Sequence, residues 1–174
     1  MIHIYDNFNQ RIIRNIFLII PLFLTISIAV AQVEPSVIVK GEVQRHLTLD
    51  TTDLLKMKRV KATLNDRGGV SHVYEGVPIT NILDSAGVTL HGQLRGENLS
   101  KYLLVKCGDG YQVLFSLAEL DESFTDKVVI LADRVDGKSI SDGRGPFRLV
   151  VPGEKVPARS SFEVTALIIG SAKD

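Results

Sequence analysis

The sequence predicts an α+β domain, a mixed β-sheet with short helices. Apolar alternation recurs in short runs, and the helix caps leave room for only one or two turns between them. Turns of hairpin composition join several of the runs, which argues against a doubly wound parallel sheet.

Residues 37–43 read as a strand. Asp50 suits an N-cap, with acidic Asp53 in the first turn of a short helix carrying Leu54 and Leu55. Across 59–64, Val60, Ala62 and Leu64 fall on one face of a strand and Arg59, Lys61 and Thr63 on the other. Pro78 takes the favoured first position of a second helix, in which Ile79, Ile82, Leu83 and Ala86 form one apolar stripe and Gly87 is the stop. Residues 101–107 and 111–115 make two strands joined by Gly108-Asp109-Gly110, a turn that admits positive φ. Ser116 and Glu119 form a capping box that opens another short helix, burying Leu117 and Leu120. Strands at 128–132, 147–151 and 163–169 complete the set; the turns Asp136-Gly137 and Asp142-Gly143-Arg144-Gly145 separate the first two.

The first 31 residues read as a cleavable export signal. Arg11 and Arg14 supply positive charge, residues 16–30 carry none, and Ala29-Val30-Ala31 gives the small-x-small pattern of a cleavage site. The uncharged run is shorter than the roughly 20 residues a membrane span needs, and Pro21 interrupts it. Cleavage would leave Gln32 first, residues 32–174 as one domain, no membrane span, and a periplasmic or secreted location. The chain holds 20 basic and 20 acidic residues. Losing Arg11, Arg14 and Asp6 with the signal leaves 18 against 19, so no basic stripe points to nucleic acid. The single cysteine, Cys107, excludes an internal disulfide. It shares a strand face with Leu103 and Val105, which reads as a packed thiol.

Tyr74-Glu75-Gly76-Val77-Pro78-Ile79, followed by Ile82-Leu83 and Ala86-Gly87-Val88, resembles the aromatic-x-Gly-Val-Pro-Leu stretch of sulfite-oxidase-type molybdopterin-binding domains. The similarity continues in family order. It runs through Asp109-Gly110-Tyr111, the serine-plus-helix step at Ser116 to Leu120, Leu131-Ala132, Asp136-Gly137-Lys138 and the block from Gly145-Pro146-Phe147-Arg148 to Pro152-Gly153. The resemblance implies that fold, and an oxidoreductase whose molybdenum is bound by a cysteine thiolate upstream of Gly-Val-Pro. That position falls near Leu64 and Asn65, within residues 63–67, where no cysteine stands. Asn65 or Asp66 would offer hard oxygens in its place. The family's Ala-Arg-His-x-Lys-Trp run, whose basic residues hold the pterin phosphate, is matched by Ala158-Arg159-Ser160-Ser161-Phe162-Glu163. Only the arginine is retained there.

Arg159 and Asn65 are therefore the candidate cofactor-binding residues, with a solvated surface arginine as the other reading of Arg159; no catalytic residue is assigned. His46, His72 and His91 lack metal-ligand spacing, although His72 lies where the family's active sites open. The signal carries Arg11-Ile12-Ile13-Arg14 rather than the adjacent arginines used to export folded, cofactor-loaded enzymes. The sequence thus predicts an exported domain that binds a small anionic ligand or a partner in the envelope without molybdenum catalysis, and no cofactor. One alternative is an active molybdopterin-dependent oxidoreductase with a non-cysteine ligand set. Another is a structural module that docks an envelope protein.

Overall fold

The computed structural model describes residues 34–66, 68–140 and 143–172. The expected signal and the Gln32 start lie outside the described residues.

Period-two burial builds two sheets. The first orders β2 (Leu47–Asp50), β1 (Ser36–Gly41), β10 (Val164–Ser171), β5 (Lys101–Cys107) and β6 (Gln112–Ser116). Its β1–β10 pair is parallel and its other pairs are antiparallel, so the sheet is mixed as expected. The second, wholly antiparallel sheet orders β3 (Val60–Asn65), β4 (Ser71–Pro78), β7 (Ile130–Val135) and β8 (Lys138–Ser139), with β9 (Arg148–Val150) also paired to β7. Among the described residues two helices, α1 (Thr51–Leu55) and α2 (Ile79–Ala86), accompany several 3-10 turns. Among the described residues no helix is long and apolar enough to cross a membrane.

Val37 and Val39 of β1, Leu103 and Val105 of β5, Leu167 and Ile169 of β10, and the apolar stripe of α2 meet in the main core. Leu131 and Leu149 of the second sheet point into it too. The alternate residues of those strands, Ile130, Ala132 and Val150, join Leu64, Tyr74 and Ile140 in a smaller cluster on the opposite face. This parity decides which side chains reach the cleft described below.

Local chemistry fixed the element ends where it could act alone. The Asp53 N–H donates to Asp50 Oδ1 at 2.8 Å, making the expected N-cap. Gly87 closes α2 in the left-handed region, φ 72°. The Ser116 capping box forms but caps a single 3-10 turn, Leu117–Glu119.

Three expectations need correction. Pro78 is not the first helical residue: its ψ of 133° is extended, and it ends β4 opposite Ile130. β4 itself was hidden by Gly76 and Pro78, which look like punctuation. Gly76 is required there because a Cβ would lie 2.1 Å from the Leu131 carbonyl oxygen, beside a bulge. β7 runs on past Ala132 through Asp133, whose buried carboxylate is paired with Arg59.

Candidate functional site

A cleft of about 580 Å³ opens on the face of the second sheet that carries the smaller cluster. Leu64 points to that face, and the same parity carried one residue past β3 brings Asp66 there. Tyr74 and His72 share a parity on β4, and Arg148 shares one with Val150 on β9. Three strands thus aim polar side chains at one place.

Arg148 is the hub. It is 2 % exposed, and its guanidinium grips Asp66 with two hydrogen bonds, Nη1 to Oδ2 at 3.0 Å and Nη2 to Oδ1 at 2.6 Å. Nη1 also donates to the Tyr74 hydroxyl oxygen, while that hydroxyl donates to Asp66 Oδ2 at 2.7 Å. The guanidinium stacks 3.9 Å from the Phe162 ring centre and 4.7 Å from that of Tyr74. Burial opposes ionisation of Asp66, but the hydrogen bonds from Arg148 and Tyr74 prevail and hold its carboxyl below the ordinary value. Burial, together with the bond to Asp66, pushes the Tyr74 phenol up to about 12.

Other polar groups line the cleft. His72 Nδ1 lies 2.6 Å from Asp136 Oδ2, and Asp136 Oδ1 accepts the Val73 N–H. The His72 bond, then the Val73 N–H, holds the Asp136 carboxyl below its usual value. The Ser160 hydroxyl accepts the Val151 N–H at 2.9 Å. Arg148 Nε is buried without a hydrogen-bond partner, and the buried Ser161 Oγ lies against the Cys107 thiol. Arg144 lies 5.4 Å from the Phe162 ring centre and has no acidic partner among the described residues.

The two residues singled out from the sequence sit elsewhere. Asn65 has the opposite parity to Leu64; it is exposed at the end of β3, opposite Ser71. Arg159 lies on a separate depression of about 290 Å³, stacked 4.4 Å from the Phe115 ring centre. It is bound to Glu154 at 2.5 Å and Glu119 at 3.1 Å. Cys107 is buried, and burial pushes its thiol pKa up. Among the described residues no group of three or more His, Cys, Asp or Glu side chains is arranged to hold a metal.

From the sequence, Asp66 was named only beside Asn65 as a source of hard oxygens, and Tyr74 and Arg148 were not singled out as site residues. The available signal was Arg148 itself: a charge inside the apolar run Phe147-Arg148-Leu149-Val150 must find a partner if it is buried.

The family model described as the oxidoreductase molybdopterin binding domain matches residues 28–161. Among solved structures, the sulfane dehydrogenase SoxCD from Paracoccus pantotrophus is similar with a TM-score of 0.61 at 22% identity, over 80% of this chain and 39% of that one. The likeness concerns the fold, and this chain spans about two fifths of that chain's length. No curated protein matches the sequence. The family match does not support the expectation of a domain without a cofactor, since the family it names binds molybdopterin.

Proposed function

This chain belongs to the oxidoreductase molybdopterin binding domain family, and from that premise we propose that it is an exported member whose cleft binds a small anionic ligand without molybdenum chemistry. The observation that carries the reading is the Asp66–Arg148–Tyr74 cluster. Among the described residues of the segment where the resemblance puts the metal-binding thiolate, Asp66 is the side chain that enters the cleft, and both its oxygens are already engaged.

The residues present do not fit the family's cofactor. Molybdenum of this type takes a soft thiolate, and the described cleft wall offers carboxylates, hydroxyls and one imidazole. The thiol of Cys107 is buried directly behind that wall, against Ser161. Of the arginines that could hold a pterin phosphate, Arg148 is neutralised by Asp66 and Arg159 by two glutamates, which leaves Arg144 as the uncommitted one among the described residues of the cleft. No catalytic step through the cofactor is derived for this chain.

Among the described residues of the cleft, Arg144 is the cation that can receive a ligand. Its guanidinium is held over Phe162 and can pair a carboxylate or an oxoanion in bidentate fashion. Calorimetric titration of the purified protein with sulfate, phosphate and short carboxylates tests this reading. Saturable binding of at least one, weakened in Arg144→Ala, is expected; no binding of any of them contradicts it.

A further inference from the structure

The cleft wall includes an imidazole whose proton position follows from its partner. His72 Nδ1 lies 2.6 Å from Asp136 Oδ2, while Asp136 Oδ1 accepts the Val73 N–H at 3.0 Å. Asp136 belongs to the turn between β7 and β8, with φ 49° before Gly137 at φ 80°, and its own N–H donates to the Val73 carbonyl at 2.8 Å. The hairpin therefore fixes the carboxylate, and the carboxylate fixes the ring. The Tyr74 ring stands 6.4 Å from it, centre to centre, in an edge-to-face arrangement.

The bond to His72 and the Val73 N–H keep Asp136 ionised, and an ionised carboxylate only accepts. Nδ1 must then carry the proton, so in the neutral imidazole Nε2 is a bare acceptor. Among the described residues nothing donates to Nε2. The charged groups that share the cleft wall with His72 are Asp66, close enough for an imidazolium charge to act on its carboxyl, and Asp109, Glu163, Arg144 and Arg148. An anion drawn to this cleft by Arg144 thus meets an oriented acceptor beside carboxylates. Oxygens that bring no proton are repelled there, and a hydroxyl is received.

We propose that the cleft selects a small anion that carries its own O–H, its charged oxygens on Arg144 and its hydroxyl donating to His72 Nε2. This rests on the anion reading above and narrows it to hydroxylated oxoanions and hydroxycarboxylates. The His72 side chain is 34% exposed, so water competes for Nε2 and the discrimination expected is about ten-fold, the effect of one hydrogen bond involving a charged ligand.

The test titrates the purified protein at pH 8, by calorimetry, with pairs that differ by the hydroxyl. One pair is phosphate and sulfate, which at that pH share a tetrahedral shape and a double charge. The others are glycolate and acetate, 3-hydroxypropionate and propionate, and 4-hydroxybutyrate and butyrate, whose lengths sample the span between the two contacts. In at least one pair the hydroxylated member should bind about ten-fold more tightly. His72→Phe should erase that preference and leave the weaker member unchanged. Asp136→Asn should reverse the tautomer: the amide oxygen keeps the Val73 N–H, the amide N–H turns to Nδ1, and Nε2 becomes the donor. Asparagine tolerates the positive φ there. The hydroxylated member should then lose its advantage while its partner gains, and nitrogen NMR of the imidazole should show the proton moved. A mere clasp between strands would change the melting temperature in that variant and leave the preference as it was. If the two members of every pair bind alike, or the preference survives His72→Phe, the inference fails and the anion reading stands. If no probe binds at all, both fail.

Discussion

Removing the Asp66 carboxylate should unbalance the fold in a way that can be worked out in advance. Asp66→Ala leaves the Arg148 guanidinium buried, charged and facing a vacancy. Taking one partner from a buried ion pair costs about 3–5 kcal/mol. The Asp66 side chain is 21% exposed, so water can partly replace it and the lower end, about 3 kcal/mol, is expected. At roughly 3 °C per kcal/mol for a chain of this size, the melting temperature should fall by about 10 °C. The assay is urea unfolding followed by circular dichroism at pH 7. The double variant Asp66→Leu with Arg148→Met should recover most of the loss, because an apolar pair needs no desolvation of charge. Acetate or formate should rescue Asp66→Ala by refilling the vacancy, and should leave the double variant unaffected. The pH dependence has a definite sign. The folded Asp66 carboxyl titrates below its unfolded value, so its stabilisation is present above about pH 4 and is lost as pH falls through the folded value. Asp66→Ala should lack that acid step. An Asp66→Ala protein within about 0.5 kcal/mol of the parent, the range of ordinary surface changes, would refute the idea that this pair organises the cleft.

Further outcomes follow from other parts of the molecule. Cys107 should resist alkylation in the folded protein and react after unfolding, and Cys107→Ala should cost about 1 kcal/mol or somewhat more; rapid labelling of the folded protein would contradict its placement. The His91 imidazole is held above its ordinary pKa, chiefly by the bond to Asp84, so its small stabilisation is full below about pH 6.5 and fades as pH rises through the folded value. Half-exposed pairs of this kind contribute under about 1 kcal/mol. His91→Asn, which tolerates the positive φ of 55° there, should flatten that slope, and an unchanged slope would count against the assignment. Replacing Ala29 and Ala31 with bulky residues should block signal processing, whereas recovery of Met1 from exported protein would show that no cleavage occurs.

What could be read from the sequence was what residues close along the chain decide between themselves. The Asp50 cap, the Gly87 stop, the Ser116 box and the alternation of β3 each depend on partners a few positions away. The parallel pairing of β1 with β10 joins the two ends of the described domain, and no local pattern encodes it. The site failed to emerge for the same reason. Asp66 and Arg148 lie 82 positions apart, beside strands that β4 and β7 separate in the sheet, and no local pattern encodes their meeting. Asn65 was preferred over its neighbour without fixing where β3 ends, and a shift of one residue reverses the face a side chain points to. Arg159 was carried over from a motif, but Glu154 and Glu119, both earlier in the chain, engage it away from the cleft.

The central claim is that the Asp66–Arg148 pair occupies the place of a metal centre. The most direct test is elemental and pterin analysis of the untouched protein, purified from its native compartment and again from a host that makes molybdopterin in excess. The account predicts molybdenum and pterin far below one per chain in both preparations. About one molybdenum and one pterin per chain in the native protein would contradict it, and would make this chain an oxidoreductase with an altered ligand set.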